Sequence, residues 1–398
     1  MALDLTQTLA DLVALPSVNP MGKVQDEEVH YEHRVTAYLE ELFRSLGVPY
    51  QRQPVEPLRD NIVARLDGEV SPSEGGTLVL FEAHQDTVPV DGMTIEPWTP
   101  LVRDGRLYGR GACDIKGGLT AMLGAFARLA EERPRGMPTI IMACTVNEEF
   151  GYSGATALTE LWSQAGSIIP RRPDVAVIAE PTELQAVVAH KGVVRWRATA
   201  HGRATHSSQP HLGVNAIFKL APVLLALERY HRDVALKMKP HPLCGTPTLS
   251  VGIITGGISV NTVPDRCTVD IDRRLNPGEQ PEEVYRQIVD FVTTETGGDD
   301  CIRHERPYLI GFGLSDDNNG PLAEQMVAAA RAANIECAIV GVPYGTNAAA
   351  ISAAGVPSIV FGPGSIDQAH TADEWLALDQ LALASEALYQ FGRRGVKR

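Results

Sequence analysis

Four apolar runs constrain this chain more than any other feature. They are Thr77–Phe81, Thr139–Val146, Asp174–Ala179 and Ser358–Phe361. None alternates apolar with polar residues, as a strand with one wet face would. Such runs predict strands buried on both faces, hence an α/β sheet covered by helices. Each is followed closely by residues that can ligate a metal. His84 and Asp86 follow the first, Glu148 and Glu149 the second, Glu180 the third, and His370 lies in the loop after the fourth. In open α/β sheets, ligands gather beyond the carboxyl ends of the strands. One more carboxylate, Asp114, precedes Gly117-Gly118 at the start of a predicted helix, where the helix dipole favours negative charge.

Helical spacing predicts helices over Asp4–Leu15, His30–Leu46, Gly117–Glu132, Pro321–Ala333 and Asp379–Phe391, with further strands at Asn61–Leu66 and Cys337–Val340. The pattern changes near Ala189. Val194, Trp196, Ala198 and Ala200 alternate with Arg195, Arg197 and Thr199, which predicts a strand with one buried face. A helix over Val214–Tyr230 follows, then strands at Thr248–Ile254 and Cys267–Leu275. A helix over Pro281–Glu295 and a strand near Cys301–Glu305 complete the block. That order, β-α-β-β-α-β, is the ferredoxin-like arrangement. The expected organisation is one α/β domain, residues 1–189 and 306–398, interrupted by a ferredoxin-like domain at 190–305.

At 398 residues the chain suits about two domains, and 44% hydrophobic with 21% charged residues describes a soluble globular protein. A formal charge of −14 argues against nucleic acid as a partner. No apolar stretch reaches the roughly 18 residues of a membrane span. Met1-Ala2-Leu3-Asp4 carries no basic region followed by an apolar one, so no secretory leader is expected. Six scattered cysteines without a Cys-x-x-Cys pair read as reduced thiols in a cytoplasmic protein.

Taken singly, each candidate has a bland reading. His-x-Asp commonly decorates a surface, Glu-Glu is usually a solvated pair, Asp114 suits a helix cap, and Glu180 before Pro181 suits a turn. Together at one sheet edge they read as a metal site. Two histidines with three carboxylates suit zinc, cobalt or manganese. One catalytic zinc takes about three protein ligands, so the surplus points to two ions roughly 3.5–4 Å apart sharing a carboxylate. One member of the Glu148-Glu149 pair is then free to act as a general base on water. His84 and Asp86, two apart on a strand, share a face, so the Asp86 carboxylate is expected to hold one imidazole nitrogen. Gly109-Arg-Gly111 suggests a dinucleotide loop, but Asp114 stands where a third glycine belongs.

Six segments carry a resemblance: His84-Gln-Asp86, Gly109-Arg-Gly-Ala-Cys-Asp114-Ile-Lys-Gly-Gly118, Asn147-Glu-Glu149-Phe-Gly151, Ala179-Glu-Pro-Thr182, Gly202-Arg-Ala-Thr-His206-Ser-Ser208 and Gln368-Ala-His370. In order and along nearly the whole chain, they resemble the co-catalytic zinc family that contains acetylornithine deacetylase, succinyl-diaminopimelate desuccinylase, aminoacylase and carboxypeptidase G. The resemblance implies a zinc-peptidase-like catalytic domain with a mixed sheet, and two divalent ions per chain, zinc first, with cobalt or manganese as substitutes. It implies Asp114 as the bridging ligand, His84 and Glu180 on one ion, and Glu149 and His370 on the other. It further implies Glu148 as general base, Asp86 as the orienter of His84, and a cis Asp114–Ile115 peptide. The inserted domain resembles the family's lid and dimerisation domain. His206 matches a histidine that polarises the scissile carbonyl, often across a homodimer, and Asn261 and Arg274 match substrate-binding positions. A surface ion pair is the plainer reading of Arg274.

Ala189-His-Lys-Gly192 and the segment Gly362–His370 look most like acetylornithine deacetylase, an enzyme of arginine biosynthesis. The expected substrate is thus a small N-acyl amino acid. A succinyl-diaminopimelate desuccinylase, or a dipeptidase or carboxypeptidase taking a dipeptide, is the alternative. A non-catalytic binding protein on the same fold is a remote one.

Overall fold

A computed structural model describes residues 3–23 and 28–394. The reading of Met1 and Ala2 lies outside them. The chain forms two compact units. The first comprises Met1–Val188, Asp316–Val340 and Thr346–Arg398, and the second Ala189–Ser315 and Gly341–Gly345.

The first unit is built on an eight-stranded mixed sheet in the order Tyr50–Glu56, Arg59–Leu66, Thr139–Thr145, Leu78–His84, Val175–Ile178, Ser358–Val360, Ala186–His190 and Ile339–Val342. The central four strands run parallel. They correspond to the four apolar runs, and every residue of the strands themselves is buried. Arg59–Leu66 and Ala186–His190 flank the parallel block as antiparallel neighbours. Helix Lys116–Glu132 packs against the sheet and against helices Leu5–Val13 and Leu378–Arg394. Asp4 caps the first of these, its carboxylate accepting from the Gln7 N–H at 3.0 Å.

Several elements carry no clear sequence signal. Tyr50–Glu56 is a largely polar edge strand with Pro54 inside it, a residue that only an edge tolerates. Ser153–Leu161 is a short helix. Leu101–Arg103, Arg106–Tyr108 and Trp375–Ala377 form a small sheet of three-residue strands. The strand expected at Cys337–Val340 runs from Ile339 to Val342.

The second unit contains an antiparallel sheet in the order Thr248–Gly256, Arg266–Leu275, Gly192–His201, Ile302–His304, with helices Ala216–Asp233 and Pro281–Thr296. Its core joins Val194, Trp196, Ala198 and Ala200 to Val269, Ile271, Leu220 and Ile288. Arg273 shares the inward face with Ile271 and Leu275 and is fully buried, its guanidinium 2.8 Å from Glu279. The strand Leu309–Gly311 pairs with Gly192–His201, which carries this unit beyond Glu305. All six cysteines are free thiols. No helix among the described residues is long and apolar enough to cross a membrane.

Candidate metal centre

The four parallel strands deliver their carboxyl ends to one edge of the first unit. His84 is the last residue of its strand and is buried. Its Nδ1 lies 3.0 Å from the Asp86 carbonyl oxygen and 3.5 Å from the Asp86 carboxylate. The main-chain oxygen, not the expected carboxylate, is therefore the nearer partner of the ring. The carboxylate, within reach of the ring, has further partners. It accepts from Asn19 Nδ2 at 2.8 Å and from the N–H groups of Glu148 and Glu149, both at 3.1 Å. Asp86 thus ties the end of one strand to the glutamate-bearing loop of the next. Burial opposes its charge, but hydrogen bonding and attraction to His84, with help from Arg59 and Asn19, bring its pKa down to about 2.

Asp114 stands between two histidines. Its Oδ1 is 3.3 Å from His84 Nε2, and its Oδ2 is 3.3 Å from His370 Nε2. Glu180 Oε1 lies 3.9 Å from His84 Nε2, and Glu149 Oε2 lies 3.4 Å from His370 Nε2. Two trios result, His84–Asp114–Glu180 and Asp114–Glu149–His370, each with one ligand atom per residue within 4.8 Å of the others. The Asp114–Ile115 peptide is cis, as the resemblance implies.

Two observations test whether divalent cations fit here. His84 Nε2 and Glu149 Oε1 are buried without a hydrogen-bond partner, so each has a lone pair or proton left unmatched by protein. The donor chemistry, one imidazole and two carboxylates per trio, is that of borderline to hard divalent ions. The residues fit a pair of such ions. Crowded negative charge agrees. Burial, then repulsion from Asp114, raises Glu149 to about 7. Burial, with the surrounding carboxylates adding to it, raises Glu148 and Glu180 well above the usual range. Contacts with Asp114 and Glu149 raise His370 to about 10. Divalent cations would offset this repulsion.

Glu148 is partly buried, belongs to neither trio, and is fixed through its backbone by Asp86. Two residues that steady this loop, Asn19 and Glu32, escaped the sequence reading. Asn19 Nδ2 also donates to Asn147 Oδ1 at 2.9 Å, and Asn147 adopts a left-handed backbone at φ 61°, where asparagine is tolerated. The Asn147 N–H reaches Glu32, which is buried in an ion pair with Arg59 at 2.5 Å. Single polar residues in irregular segments carry no periodicity, so no spacing points to them.

His206, Asn261 and Arg274 belong to the second unit. Thr205–His206 pairs antiparallel with Thr262–Val263, placing His206 beside Thr262 and next to Asn261, whose carbonyl accepts from the Ser207 N–H at 2.9 Å. His206 is exposed, with Nδ1 2.7 Å from Ser208 Oγ. Arg274 pairs with Asp272 at 2.8 Å and keeps 30% of its side chain exposed.

Comparison with known proteins agrees with this architecture. The model of peptidase family M20/M25/M40 matches residues 80–394. The chain is 32% identical to the acetylornithine deacetylase of Vibrio atlanticus over 357 residues, 88% of each protein. It is 32% identical to that of Yersinia pseudotuberculosis over 383 residues, 92% of this chain and 90% of the other. Among solved structures, an M20 family metallo-carboxypeptidase from Sulfolobus solfataricus superposes with a TM-score of 0.77 at 19% identity, covering 98% of this chain and 99% of the other. A dinuclear metal binding peptidase of the M20 family from Bacillus subtilis gives 0.68 at 16% identity, covering 98% and 97%. The chain belongs to peptidase family M20/M25/M40 and is a metal-dependent amidohydrolase.

Proposed function

We propose that this enzyme hydrolyses the amide of a small N-acyl amino acid, N-acetylornithine first, using two zinc ions per chain. The observation that carries the reading is Asp114 shared between two ligand trios, with Glu148 outside both. His84 and Glu180 would hold one ion, Glu149 and His370 the other, and Asp114 would bridge them. When bound, the ions supply Lewis acidity to the amide carbonyl and acidify water. The protein does the rest. Glu148 takes the proton from the attacking water and returns it to the leaving amine nitrogen, as general base and then general acid. Asp86 holds the His84 ring and the Glu148 backbone in place. His206 donates to the developing oxyanion, Asn261 orients the substrate, and Arg274 exchanges Asp272 for a substrate carboxylate.

The second unit serves as lid and dimerisation domain in this reading. Its edge strand exposes Ile253 and Ile254, the adjoining loop exposes Ile258 and Val260 almost completely, and helix Ala216–Asp233 exposes Phe218 and Leu225. An edge strand with apolar neighbours supports a symmetric homodimer. The 32% identity to acetylornithine deacetylases supports the substrate and, with it, a cytoplasmic role in arginine biosynthesis. A hydrolysis panel tests the proposal: N-acetylornithine, N-succinyl-diaminopimelate, other N-acyl amino acids and dipeptides, each with zinc, cobalt and manganese. N-acetylornithine is expected to give the highest kcat/KM. A tenfold or greater preference for the succinyl substrate or for a dipeptide would overturn the substrate assignment.

A further inference from the structure

Glu374 lies four residues beyond His370 and is completely buried. Its carboxylate accepts four hydrogen bonds from the loop that carries Asp114. Oε2 takes Arg110 Nη1 at 2.7 Å and the Gly111 N–H at 2.9 Å. Oε1 takes the N–H groups of Cys113 at 2.9 Å and Asp114 at 3.0 Å. The Glu374 carbonyl accepts a fifth, from the Gly109 N–H at 3.0 Å. Arg110 also reaches the Thr371 carbonyl at 3.4 Å, one residue from His370. These partners can donate but not accept, so they favour an ionised carboxylate. The loop has little room to adjust. Gly111 has φ 82°, and a Cβ there would meet Thr87 Cγ2 at 2.7 Å.

These contacts lock two segments more than 250 residues apart in sequence, and each segment carries a ligand of the second trio. Asp114 is placed through its own N–H. His370 is exposed, at φ 61°, and its segment is anchored at Thr371 and Glu374. Removing one acceptor from the clamp leaves buried amides unpaired and frees the two loops to shift relative to each other.

We propose that Glu374 is a positioning residue of the metal centre: its buried carboxylate sets Asp114 and His370 in register, and so fixes the affinity of the ion held by Asp114, Glu149 and His370. The inference rests on the two-ion reading above. It is tested on the metal-free full-length protein by titration with zinc and with cobalt, reading dissociation constants directly rather than turnover. Glu374→Gln keeps the shape but presents an amide nitrogen to donors. It should weaken the second ion by about 10–100-fold, the usual effect of losing a partner that orients a ligand. The ion affected should be the one lost in His370→Ala. A purely structural role would lower the melting temperature of the metal-free protein and leave both constants unchanged. Constants within twofold of wild type would overturn the proposal. If Glu374→Gln does not fold, Arg110→Leu carries the test, with weakening of the same ion expected and unchanged binding again overturning it. Wild-type protein that takes up one ion would refute the two-ion reading instead. The Glu374 variant would still report on that ion, because Asp114 belongs to both trios.

Discussion

Glu148 and Glu149 are neighbours with opposite expected fates, and the difference is geometric. Glu149 faces His370 at 3.4 Å and belongs to a ligand trio, whereas Glu148 belongs to none. Both backbone N–H groups are pinned by the same Asp86 carboxylate. The substitution Glu148→Gln should therefore leave metal uptake intact while lowering kcat by about 10²–10⁴-fold, the contribution of a positioned general base. Metal analysis and steady-state kinetics on one preparation check both halves. Loss of an ion would make Glu148 a ligand, and activity within a few-fold of wild type would place the base elsewhere. Much of this site was legible because its residues follow apolar runs. Asn19, Glu32 and Glu374 were not. They act through hydrogen bonds across long sequence separations, and a single polar residue in a loop looks the same whether or not it makes them.

At the level of elements, strands proved more legible inside the sheet than at its margins. The central parallel strands are apolar throughout because both faces are covered, and their run lengths nearly match the observed strands. Tyr50–Glu56, with one neighbour and a wet surface, has no need of an apolar pattern. Ala186–His190 was hidden because its polar end, His190-Lys191, suggests a loop. In the fold, His190 is fully buried, with Nδ1 3.0 Å from the Lys191 carbonyl. Burial disfavours the imidazolium more than that carbonyl favours it, so its pKa falls from 6.5 to about 4. The unfolded chain then binds the extra proton between these values. Stability from this residue is complete above pH 6.5 and is lost as pH falls towards 4, by about 3 kcal/mol in all. Denaturation of wild type and His190→Gln across pH 4–7 should show the steeper acid loss in wild type. Parallel curves would contradict the assignment.

For the whole molecule, the proposal divides the labour between two units: a first unit that holds the metal centre and a second that supplies His206. If His206 serves the partner's site, Glu148→Gln and His206→Ala should each be nearly inactive. Mixed and reassembled, they should recover part of the activity, because one site of each heterodimer receives intact residues. Proven heterodimers without recovery would confine His206 to its own chain or remove it from catalysis, and a monomer in solution would remove the premise. The two-ion centre does not depend on the dimer: five ligand-type residues gathered at one sheet edge exceed what one ion needs, and Asp114 lies between His84 and His370. Equilibrium dialysis of metal-free protein against zinc, with activity followed along the same titration, measures this directly. A two-ion centre should saturate at two ions per chain, with full activity only as the second binds; saturation at one ion with full activity would rule it out.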